Sequence, residues 1–122
     1  MFTPGHLRRS NNPNIPGVPK FDIEVFYEVR HVPEEGMLMH FTMSGEVNGR
    51  AFSEEFDMHR DTAHNFASLI AKHAVKNGVP PNASPIMRNH SEYDAMFKDI
   101  RDKLGIKPGD PINLDNLDKD GL

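Results

Sequence analysis

The chain has 122 residues and a mass of 13.8 kDa, with 26% charged residues, no cysteine and a formal net charge of −4. That length suits one domain, and the lack of thiols excludes disulfide scaffolds, cysteine zinc sites and cysteine nucleophiles. Net acidity argues against a nucleic-acid binder, since neutralising phosphates needs a basic surface, and no apolar run is long enough to cross a membrane as a helix.

Composition divides the chain into three. Residues 1–20 hold four prolines and carry +3, with no acid. Proline removes donors and fixes an extended backbone, so the expectation is a proline-rich extended arm outside the fold. This opening also lacks the apolar stretch of a secretory signal, which points to the cytoplasm. Residues 21–105 carry −5 and read as the α+β domain. Residues 106–122 carry −2, with few apolar side chains, and read as an acidic flexible tail.

The domain opens with strand-type alternation. From Phe21 to His31, Phe21, Ile23, Val25, Tyr27 and Val29 point one way, and Asp22, Glu24, Phe26, Glu28 and Arg30 the other. A five-residue loop, Val32 to Gly36, leads to a second strand over Met37 to Val47. Asn48-Gly49 is a strong two-residue hairpin signal, because both residues tolerate positive φ. A third strand follows from Arg50 to about Met58. With Asn48-Gly49 as the turn and His31 facing Met37, two inward rows form, Tyr27–Phe41–Phe56 and Val29–Met39–Met58. A slip of one residue would turn each apolar set outward, so the agreement of two independent turns supports this register. Glu54 opposite Met43 is the one misfit.

Two helices come next. From Asp61 to Asn77, Ala63, Phe66, Ala67, Ile70, His73 and Ala74 recur at helical steps, with Asp61 as a natural N-cap and Gly78 as the stop. After a proline-rich connection, Ser91 and Asp94 form a capping-box variant, and Tyr93, Met96, Phe97, Ile100 and Leu104 make a stripe ended by Gly105. The fold class expected is α+β, a three-stranded antiparallel β-meander with two helices packed on one face, in the order βββαα.

Seven histidines are the compositional oddity. None forms the i, i+4 pair of a zinc protease, and no metal site is expected. Met37, Met39, His40 and Met43 invite a soft-metal reading, but alternation sends Met39 and Met43 to one face and His40 to the other. The constellation that could carry chemistry lies across strands on the outward face, where His40 falls between Glu28 and Asp57. Such a row could serve an enzyme as acid/base groups or bind a metal-dependent ligand. The preferred reading is a solvated face held by opposite charges, since no nucleophile, phosphate-cradling loop or dinucleotide fingerprint accompanies it.

The stretches Pro4 to Arg9 (PGHLRR), Asn65 to Ser68 (NFAS) and Ile86 to Gly105 (IMRNHSEYDAMFKDIRDKLG) resemble a family of short bacterial proteins known only as a domain of unknown function. The resemblance spans roughly residues 1–105 and implies a bacterial cytoplasmic protein. It transfers no functional residue.

The functional expectation is a module for protein–protein interaction or self-association, without catalysis and without a cofactor. Phe26, Leu38 and Arg30 on the outward face would form its interaction surface. The partner would be another protein or a second copy in a homodimer, not nucleic acid and not a membrane. The competing expectation is a small enzyme or metal-dependent binder using Glu28, His40 and Asp57.

Overall fold

A computed structural model describes residues 2–11, 20–79, 90–107 and 114–120. Five strands form one sheet in chain order: β1 (Phe2–Thr3), β2 (His6–Asn11), β3 (Phe21–Val32), β4 (Gly36–Val47) and β5 (Arg50–His59), each antiparallel to its neighbour. A 3₁₀ turn (Arg60–Asn65) leads into α1 (Phe66–Lys76), followed by α2 (His90–Leu104) and a short α3 (Leu114–Lys119).

The central register is the one dictated by the turns. Tyr27 faces Phe41, Phe41 faces Phe56, and Val29, Met39 and Met58 align beside them. Asn48 and Gly49 both take positive φ, 52° and 82°, as a type I′ turn requires. The first loop is tighter than the five residues expected: Val32 pairs with Gly36, leaving three residues in the turn, and Gly36 adopts φ 84°. Glycine tolerates that conformation without the clash a Cβ would bring.

The strand count is larger than the sequence suggested. Residues 2–11 do not lie free; β2 pairs with β3 from His6↔Phe26 to Asn11↔Phe21. Leu7, 1% exposed, joins the core beside Val25, and the Arg9 guanidinium reaches Glu92 on α2. The arm prolines Pro13, Pro16 and Pro19 fall outside the described residues.

Helices α1 and α2 cover the face of the aromatic and methionine rows. Phe66, Leu69, Ile70 and Ala74 of α1 and Met96, Ile100 and Leu104 of α2 are buried against it. Asp61 is not the N-cap: a 3₁₀ turn precedes α1, buries Thr62 and Ala63, and has no side-chain cap. Ser91 sits inside α2, which already runs from His90 among the described residues. The misfit Glu54 is resolved by α1, whose His73 and Lys76 both bond its carboxylate. Hydrogen bonding from Lys76 outweighs burial and holds Glu54 below the usual carboxylate range. The tail, expected to be free, contributes α3, whose Asn116 amide donates to both carboxylate oxygens of Asp61 at 2.9 and 3.2 Å.

Candidate functional site

Strand alternation leaves the second face of the sheet to His6, Arg8, Asp22, Glu24, Phe26, Glu28, Arg30, Leu38, His40, Thr42, Glu55, Asp57 and His59. His40 lies there as the register requires, between Glu28 on β3 and Asp57 on β5. It is only 7% exposed, with carboxylates of β5 at both ring nitrogens.

The predicted triad is brought together only in part. Nδ1 of His40 lies 2.6 Å from an Asp57 carboxylate oxygen, while Nε2 lies 3.2 Å from Glu55. Glu28 turns instead to its own strand neighbour Arg30, which donates to it from Nε at 3.1 Å and from Nη2 at 2.9 Å. Glu55 faces Thr42 and reaches His40 on the diagonal. Attention to directly opposed residues missed it, although diagonal pairs are within reach of long side chains.

Of the expected interaction surface, Phe26 is 45% exposed and Arg30 is exposed but engaged with Glu28. Leu38 is buried at 6% and offers no surface to a partner. The reading of 1–20 as a free arm hid one contributor: β2 sets the His6 ring against Phe26, stacked with centroids 4.2 Å apart. His6 Nε2 lies 3.3 Å from Glu24. Beside this aromatic ledge is a cleft of about 310 Å³ lined by Gly5, Phe26, Tyr27, Glu28, His40 and Thr42. Its rim is acidic, with Glu24 and Glu28 at one side and Glu55 and Asp57 beyond His40.

Beneath the cleft, Tyr27 anchors the sheet to α2. Its hydroxyl donates to Asp99 at 2.5 Å, Lys103 pairs with the same carboxylate at 2.9 Å, and the Gly5 N–H donates to it at 3.3 Å. Burial pushes the Tyr27 phenol well above its ordinary range, and the Asp99 bond adds to this. Burial also pushes Asp99 up, but bonds from Tyr27 and Lys103 prevail and hold it below the usual value.

No group of three or more His, Asp or Glu side chains among the described residues is placed to hold a metal ion. The face presents an exposed ring, a hollow and a carboxylate rim.

A family model described as a domain of unknown function (DUF5064) matches residues 1–117. The chain belongs to this family. The chain is also similar to the solution structure of the uncharacterized protein PA1076 from Pseudomonas aeruginosa, at TM-score 0.69 and 45% identity. The alignment covers 98% of this chain and 94% of that one. No curated protein matches. Among the described residues no helix is long and apolar enough to cross a membrane.

Proposed function

We propose that the protein is a cytoplasmic binding module without catalysis of its own, and that a protein partner docks on the open face of the sheet at the Phe26 cleft. The observation that carries this reading is Phe26 itself, a large apolar side chain 45% exposed beside a 310 Å³ hollow on the face opposite the helices. Aromatic anchors of this kind dominate interface energetics. The acidic rim of Glu24, Glu28, Glu55 and Asp57 matches a partner presenting lysine or arginine next to an apolar side chain.

The enzymatic alternative built on Glu28, His40 and Asp57 is less well supported. Glu28 is turned to Arg30, and both His40 nitrogens face carboxylates rather than open space. A second copy as partner has one observation in its favour: β5 is the outermost strand of the sheet, with β4 as its sheet neighbour. Exposed edges recruit further strands, but Glu55 and Asp57 on β5 set like charges against a copy of themselves.

The test compares material retained from native cell extract by the full chain and by Phe26→Ser and Glu28→Lys variants, with folding of each verified by NMR. The reading expects a stoichiometric partner, basic in composition, lost with both variants and released by salt. Retention unaffected by either change contradicts it. Light scattering at twice the 13.8 kDa chain mass would transfer the proposal to the homodimer.

A further inference from the structure

The end of the sheet distant from the Asn48-Gly49 turn carries a second histidine cluster, independent of the cleft. His59, the last residue of β5, lies between two carboxylates. Its Nδ1 is 2.7 Å from Asp120, which follows α3, and its Nε2 is 2.6 Å from Glu35 in the β3–β4 turn. Two ionised carboxylates can both accept only if both ring nitrogens carry protons, so this geometry selects the imidazolium. Asp120 also accepts from the His59 backbone N–H at 3.1 Å and from the Thr62 hydroxyl.

The Asp120 side chain is 2% exposed, and the cation in contact with it among the described residues is His59. The other charged groups nearby are committed elsewhere. Lys119 faces Glu35 at 3.8 Å, Arg60 donates to the carbonyls of Leu104 and Gly105, Asp61 accepts from Asn116, and Arg30, beyond Leu38, holds Glu28. Among the described residues, loss of the His59 proton therefore leaves the buried Asp120 carboxylate facing the neutral donors Thr62 and the His59 N–H, and it turns a lone pair toward one of the two acids. Removing one member of a buried ion pair is strongly unfavourable, and the escape is for Asp120 to move into water.

We propose that α3 is a latch, held closed by protonated His59 and opened when the ring loses its proton. Opening carries Asp120 off the sheet end and uncovers Thr62 and the His59 ring at the margin of the open face. Other contacts of α3, Asn116 to Asp61 and Lys119 to Glu35 at 3.8 Å, do not reach Asp120 and so do not replace the lost charge pair.

The experiment follows the 13Cα shifts of residues 114–119 and the His59 ring resonances of the full chain from about pH 6 to about pH 9. The latch expects helical shifts in 114–119 to disappear over the same range in which His59 deprotonates, reversibly, while the shifts of β3–β5 stay fixed. His59→Gln should show α3 detached throughout with the sheet unchanged. Asp120→Asn, which removes the buried charge and suits a reading in which His59→Gln fails to fold, should keep α3 helical at every pH. Constant α3 shifts through the His59 titration, or an unchanged midpoint of release in Asp120→Asn, would overturn the proposal.

Discussion

Gly45 shows how one missing side chain fixes the sheet. It sits at φ 150° opposite Ile23, and a Cβ there would lie 2.0 Å from the Asp22 carbonyl oxygen on β3. Backbone cannot yield as a flexible side chain can, so Gly45→Ala should cost about 3 kcal/mol or more, read by urea denaturation. A cost below about 1 kcal/mol would mean that β3 and β4 do not approach there as described. Tyr27 tests the tie between sheet and α2. Tyr27→Phe removes the hydroxyl but leaves Asp99 its Lys103 and Gly5 partners, so a loss of about 1–2 kcal/mol is expected. At this scale the sequence showed which residue faces which, because two turns fixed the register. It did not show which partner a long side chain selects: Glu28 took Arg30, and Glu55 reached His40. Nor did it show that Leu38, an outward residue by alternation, is buried.

Between the elements, legibility followed the density of apolar residues. β3, β4 and β5 alternate over many positions and were readable. β2 offers a single buried apolar side chain, Leu7, amid charged and polar neighbours, and proline-rich sequence follows it. Its strand conformation comes from pairing with β3, which alternation within residues 6–11 cannot reveal. Leu7→Ala should therefore destabilise the protein by about 2–5 kcal/mol, the range for a buried leucine. A free arm would give no change, so denaturation of this variant separates the two pictures. The same limit applies to the start of α1. Asp61 has the chemistry of an N-cap, but the 3₁₀ turn that buries Thr62 and Ala63 displaces the α-helix to Phe66. The C-terminal residues looked too polar to order, but Ile106 packs against the core, and Asp120 is held by Thr62 and His59, about sixty positions away in the chain.

Among the described residues, α1 and α2 cover one side of the sheet, and the other side presents a largely polar surface with several carboxylates. Its pH dependence should reflect His59. Burial alone would push this ring down, but bonds from Glu35 and Asp120 outweigh burial, so its pKa lies above the ordinary 6.5. A histidine raised in the folded state contributes stability that is fully present below 6.5 and is lost as pH rises through the raised value. Urea midpoints of the full chain should thus fall as pH rises above 6.5 and through the raised His59 value, and that fall should vanish in His59→Gln. A flat profile over that window would show that the imidazolium does not hold the sheet end together. On the opposite margin of the same face, Phe26 and its carboxylate rim form the surface from which function is argued. The most direct test is amide shift mapping on the isotope-labelled full chain as the captured partner is added. The account predicts that perturbations concentrate at Gly5, Phe26, Glu28, His40 and Thr42 and weaken with salt. Perturbations confined to the exposed sides of α1 and α2, with the Phe26 face silent, would contradict it.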